Sequence, residues 1–182
     1  MKGLDGGRIN IATCAVGTAQ AALNAAQRYV QERQQFGQPL AELQTVQFRL
    51  ADMLTELVAA RQMVRLAAWK LDSGSPDAST YCAMAKRLAT DLSFNIANNA
   101  LQLFGGYGYL QDFPLERHVR DLRVHQILEG TNEVMRMIIA ASCCRPARWK
   151  RCARRPAIDK RNTQDEHIRP PERGKNAATP PS

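Results

Sequence analysis

From Leu43 to Leu71 the chain places an apolar residue at every third or fourth position: Leu43, Val46, Leu50, Met53, Leu57, Ala60, Val64, Ala67 and Leu71. That rhythm is one face of a long α-helix. A seam of this length is buried by antiparallel helices of similar length, not by a sheet. Upstream, Ile9, Ala12, Val16, Ala19, Leu23, Ala26 and Val30 keep the same spacing, which predicts a first helix over about 9–34. Its many alanines, with Gly17, make a thin stripe that lets a partner helix come close. Phe36-Gly37-Gln38-Pro39 should stop it, glycine serving as the C-cap and proline unable to continue.

The same logic runs downstream. Residues 72–77 form a helix-to-helix turn in which Gly74 takes the left-handed cap, Ser75 the next N-cap and Pro76 the first helical position. A third helix follows through Ala85, Leu88, Leu92, Ile96, Ala100 and Leu103 to the break at Gly105-Gly106-Tyr107-Gly108. A short polar helix starts at Pro114, and the last helix begins near Thr131. No alternating strand pattern occurs in residues 1–142. The expected fold is all-α, an antiparallel four-helix bundle over 1–142 followed by a disordered tail over 143–182.

Charge divides at the same place. The net charge is +8, but residues 1–142 hold 14 Lys+Arg against 13 Asp+Glu, whereas 143–182 hold 11 against 4. A nucleic-acid role would therefore rest on the tail alone, where Trp149 is the one Phe, Tyr or Trp among the arginines, and no nucleic-acid partner is expected. The tail also carries 6 of the 9 prolines. Cys14 and Cys82 lie in helical patterns and read as small core residues; Cys143, Cys144 and Cys152 fall in or at the start of the tail. None forms a Cys-x-x-Cys pair, so no zinc or redox motif is present and no metal site is expected. No apolar run is long enough to span a membrane.

Chemistry points to residues 125–133, His-Gln-Ile-Leu-Glu-Gly-Thr-Asn-Glu. Glu129 lies between apolar Ile127 and Leu128 and a Gly-Thr pair that can open a helix with Thr131 as N-cap. A carboxylate so placed feels burial, which favours its neutral form, and the helix dipole, which favours its charged form. That balance suits a tunable general base. Taken alone, the stretch reads first as a loop acid ahead of an amphipathic helix. Likewise Gly105–Gly108 reads as a helix-ending loop and Arg33 as a solvated cation, and His125 as a packing residue more than a proton shuttle.

Four motifs in order alter that weighting: Asp-Gly-Gly-Arg at 5–8, Glu-Arg-Gln-Gln-Phe-Gly at 32–37, Gln-Leu-Phe-Gly-Gly-Tyr-Gly-Tyr at 102–109, and the 125–133 stretch. Together, from Leu4 to Ser142, they resemble the C-terminal domain of the acyl-CoA dehydrogenases, with Val119 to Arg136 most like the short and branched-chain members such as the isobutyryl-CoA dehydrogenases. The resemblance implies an FAD-dependent oxidoreductase that desaturates an acyl-CoA thioester at Cα–Cβ, with Glu129 as the base. It implies that Arg33 meets the FAD pyrophosphate and Gln44 lies near the adenosine end. Gln102, Gly105 and Gly106 form a loop near the dinucleotide, and Thr131, Asn132 and Glu133 face the cofactor from the last helix. Asp5, Arg8 and Gly130 are implied at the substrate. Some short-chain relatives have a substrate-contacting arginine where this chain has Ala141.

The partners implied are the acyl-CoA, a second copy (dimer or tetramer) whose flavin meets Arg33 and Gln102, and an electron-transfer flavoprotein. The location implied is the cytoplasm in a bacterium or the mitochondrial matrix in a eukaryote. Relatives carry further domains ahead of Asp5, so the sequence reads as a C-terminal piece with impaired activity alone. Past Ala141 it departs from the family, as a shifted reading frame would produce; a functional basic arm is the alternative. A non-enzymatic helical oligomerisation module is the other reading of the bundle.

Overall fold

The computed structural model describes residues 2–144. The tail expected from 143 onward, Cys152 and Trp149 included, lies outside the described residues, apart from Cys143 and Cys144. Cys143 ends the last helix rather than opening a tail.

Among the described residues five α-helices make up the bundle: α1 (Asp5–Glu32), α2 (Gln44–Asp72), α3 (Ala78–Phe104), α4 (Leu115–His125) and α5 (Asn132–Cys143). Asp5 meets Ser79 at one end and Tyr29 stacks on Phe104 at the other, so α1 and α3 run in the same direction. α2 runs against both. Helices α4 and α5 also run against α3, one after the other. Leu122 of α4 belongs to the core, Gln126 just beyond it reaches Asp91, and Ser142 of α5 meets Thr80. The fourth column of the bundle is therefore a helix broken at residues 126–131. Glu129 stands in that break.

The thin stripe behaves as its composition requires. Ala12, Ala15, Ala19, Ala22 and Ala26 of α1 are fully buried with Ala85, Ala89, Ala97 and Ala100 of α3. With only methyl groups between them, two backbones approach closely and gain dispersion contacts along their length. Gly17 is not part of this; it is exposed. On α2, Val46, Met53, Leu57, Ala60, Val64 and Ala67 are buried, as the spacing requires.

Several boundaries differ from expectation. α1 begins at Asp5, four residues early, which turns Asp5 and Arg8 inward. It ends at Glu32. Phe36 (φ 55°) and Gly37 (φ 80°) then form the turn of a small antiparallel hairpin, β1 (Gln34–Gln35) with β2 (Gln38–Pro39), so Gly37 serves a hairpin and not a helix cap. Gly74 does adopt a left-handed φ of 63°. The next N-cap, however, is Asp77, and α3 starts only at Ala78; the Ser75 hydroxyl donates to Asp77 instead. Lys70 closes this turn, its ammonium 3.0 Å from Asp77 Oδ2 and 4.7 Å from the Tyr81 ring centre. Cys14 is exposed, whereas Cys82 is buried, its thiol pushed up to about 11 by burial and the Asp5 charge.

Candidate active site

Glu129 has a φ of 57° and Gly130 one of 90°. Glycine adopts that region freely; a glutamate does so at a cost on the order of 1–2 kcal/mol. Something must hold the turn. Lys86 of α3 is wholly buried and donates to the carbonyl of Gln126 (3.1 Å), the carbonyl of Gly130 (2.8 Å) and Asn132 Oδ1 (2.8 Å). Asn132 in turn donates through Nδ2 to Asp91 Oδ1 (2.7 Å) and to Thr90 Oγ1 (3.0 Å), while its N–H meets the Gln126 carbonyl at 3.0 Å. Thr131 caps α5, its hydroxyl accepting from the Val134 N–H at 3.4 Å.

The turn sets the Glu129 carboxylate against α1. A Cβ added to Gly7 would lie 2.8 Å from Glu129 Cδ and closer still to Oε2, so the absence of a side chain at position 7 makes the room. Asp5 and Arg8 bracket that glycine. They form a buried ion pair (2.8 Å) that Ser79 completes by donating to Asp5, while Arg8 Nε has no partner. Asp5 and Arg8, two of the three residues expected at the substrate, thus face α3, because α1 starts early. Ile127 and Leu128 are exposed, so the cover on Glu129 comes from α1 rather than from its sequence neighbours. His125 is half-buried with Nδ1 unpartnered. Burial pulls its pKa below the ordinary histidine value; Asp121 opposes that and Lys86 adds to it.

The residues expected at the cofactor fall into two groups. Thr131, Asn132 and Glu133 accompany Glu129; the Asn132 side chain is committed to α3, while Glu133 is exposed with a carboxyl held below its usual range by its own N–H, Thr131 and Arg136. Arg33, Gln102, Gly105 and Gly106 line a cleft of about 590 Å³ at the far ends of α1 and α3. The Arg33 guanidinium lies 5.6 Å from the Tyr107 ring centre. Gly105 has a φ of 60°, and Cβ atoms added to Gly105 or Gly106 would meet nothing within 4 Å. Gln44, exposed as the first residue of α2, is near this end. At 1.5 Å per residue, Gly7 and Arg33 lie about 39 Å apart along α1. One chain therefore does not gather both groups into a single pocket. Ala141 is exposed on α5. Among the described residues no group of three or more His, Cys, Asp or Glu could hold a metal ion, and no helix is long and apolar enough to cross a membrane.

Sequence reasoning missed Lys86, Asp91 and Gly7. Lys86 had a signal: it falls in the buried stripe of small residues Cys82, Ala89 and Ser93, where a cation is out of place unless it is fully hydrogen-bonded.

A helical bundle whose last column is interrupted by a glutamate on a left-handed turn defines the class of domain. The chain belongs to the acyl-CoA dehydrogenase family: residues 1–144 match the model of the acyl-CoA dehydrogenase C-terminal domain. It is 56% identical over 142 residues to the mitochondrial isobutyryl-CoA dehydrogenase of Bos taurus, covering 78% of this chain and 34% of that protein. The butyryl-CoA dehydrogenase structure from Megasphaera elsdenii superposes with a TM-score of 0.76 at 46% identity, covering 78% of this chain and 37% of that one. A chain from the structural study of the electron transferring flavoprotein of Acidaminococcus fermentans matches with the same TM-score, identity and coverage. The protein thus spans about a third of the length of the relatives it matches.

Proposed function

We propose that this chain supplies the proton-abstracting half of a short or branched-chain acyl-CoA dehydrogenase, with Glu129 as general base. The observation that carries this is the Glu129 carboxylate, held on a left-handed turn against the backbone of Gly7. Removing the α-proton of an acyl thioester needs a carboxylate fixed in one direction and partly shielded from water. Lys86, Asn132 and Thr131 fix the direction; Gly7 gives the room. Asp5 and Arg8 anchor the start of α1 under the substrate end through each other and Ser79, and the Glu129–Gly130 backbone meets the thioester.

The far cleft suits FAD. Arg33 offers a planar fork for a pyrophosphate, and Gly105-Gly106 lets the backbone come close. When bound, FAD supplies the hydride acceptor that no side chain can be. Because the cleft and Glu129 stand at different levels of the bundle, the site is complete only where a second copy brings its Arg33 and Gln102 to the first copy's Glu129, Thr131 and Glu133. The match to a chain from the electron transferring flavoprotein study supports such a flavoprotein as the redox partner.

Flavin absorbance should therefore co-sediment with a species larger than the 20.3 kDa monomer, and Arg33→Ala should release it. A colourless oligomer, unchanged by added FAD, would instead favour a non-enzymatic oligomerisation module.

A further inference from the structure

We propose that Lys86 is the positioning residue for Glu129: its ammonium closes the 126–130 turn and thereby aims the carboxylate at Gly7. The inference rests on the reading of Glu129 as the base, and it adds a residue that touches neither substrate nor cofactor. The two carbonyls that Lys86 binds, those of Gln126 and Gly130, are the two ends of the segment that contains Ile127, Leu128 and Glu129. Drawing both onto one nitrogen shortens the segment into a loop, and a loop this tight needs left-handed residues, which Glu129 and Gly130 are. The third acceptor, Asn132 Oδ1, ties the same nitrogen to the first residue of α5.

An ammonium has three donors, and here three oxygens receive them. The guanidinium of an arginine is a planar fork and cannot converge on three oxygens around one point. An apolar side chain would take from the Gly130 carbonyl the partner it has here and leave the Gln126 carbonyl with the Asn132 N–H alone. Lysine is thus the residue type this arrangement needs, at a stripe position otherwise filled by Cys82, Ala89 and Ser93.

The test is a coupling measured by NMR in the 182-residue chain. In the parent, Glu129→Gln should shift the Gly7 amide resonance, because the carboxylate rests there. In a Lys86→Met background the same substitution should leave Gly7 unmoved. Amide exchange at 129–132 should also rise about 100-fold, at least about tenfold more than in the middle of α1 and α2. Equal acceleration everywhere, with the Gly7 response intact, would show Lys86 to be a stability residue only and overturn the proposal. Should Lys86→Met fail to fold, the parent gives a second handle. The Gly130 carbonyl and Asn132 side-chain amide resonances must follow the titration of Lys86 Nζ, and their indifference to it would overturn the proposal equally. The base reading is tested separately by turnover of Glu129→Gln in a full-length enzyme. Coupling present with turnover intact removes the base and leaves Lys86 as holder of the turn.

Discussion

Glu129 occupies a backbone region that its side chain disfavours, and the compensation comes from a lysine 43 positions earlier in the chain. That lysine carries its own pH signature. Burial lowers Lys86 from 10.5 to about 8; Asp91 and Glu133 oppose the shift, Arg8 adds to it, and Glu129 opposes it weakly. Below pH 8 folded and unfolded chains both hold the proton, so stability does not change through this group. Between pH 8 and 10.5 the unfolded chain keeps the proton that the folded chain loses, so the Lys86 contribution to stability rises, by on the order of 3 kcal/mol at most. Cys82 works the other way above pH 9, since the unfolded thiol ionises first. Denaturant melts of the parent and Lys86→Met at pH 7.5 and 10 should therefore show a stability gap that widens with pH; a constant gap would contradict the assignment. At this scale the sequence was only half legible. The acid, the glycine after it and the capping threonine could be picked out from local chemistry. Lys86 showed only as a cation out of place among Cys82, Ala89 and Ser93, and Gly7 not at all, because their roles depend on which helices touch.

Elements show the converse. The long seam of α2 was legible because that helix buries one face, and each buried position falls on the expected rhythm. Helix α3 was less so: α1, α2, α4 and α5 all pack on it, and of its expected stripe Ala85, Ile96 and Ala100 are fully buried whereas Leu88, Leu92 and Leu103 are only partly covered, with Ala83, Ala89 and Ala97 buried beside them. A helix covered on several sides loses the one-sided period that marks a surface helix. Two predictions belong here. Gly7→Ala replaces a helical glycine, which favours the helix by roughly 0.5–1 kcal/mol, and its Cβ meets only the movable end of Glu129. Thermal melts should show a chain as stable as the parent or slightly more so, whereas a full-length enzyme carrying the change should lose most of its rate. Equal rates would mean that Glu129 does not work from beside Gly7. The second concerns the α2–α3 turn. Burial alone would raise Asp77, but hydrogen bonds from Ser75 and Lys70 and the Lys70 charge outweigh it and hold the carboxyl below 3.8. Its stabilising effect is complete above pH 3.8 and is lost as pH falls through the lower folded value. Asp77→Asn should lower stability at pH 7 by about 1–3 kcal/mol, with a smaller difference from the parent near pH 2. A difference that persists undiminished in acid would remove the ion pair as the cause.

For the whole molecule, the bundle places Glu129 at one level and the cleft lined by Arg33 and Gly105-Gly106 at another, and under the proposed function that separation makes catalysis a property of an assembly. That arrangement was legible only through the family resemblance, because no local pattern reports how far apart two motifs stand in the fold. The direct measurement is anaerobic flavin bleaching in a full-length short-chain acyl-CoA dehydrogenase whose corresponding segment is replaced by residues 1–142, with and without Glu129→Gln. The amide is nearly isosteric with the acid and keeps the Gly-Thr cap, but it takes no proton at neutral pH. Both chimeras should retain FAD with the same oxidised spectrum, the parent chimera should bleach on adding a short or branched acyl-CoA, and Glu129→Gln should slow bleaching by about 10²–10⁴-fold or more. Bleaching at the parent rate in the Glu129→Gln chimera would contradict Glu129 as the base.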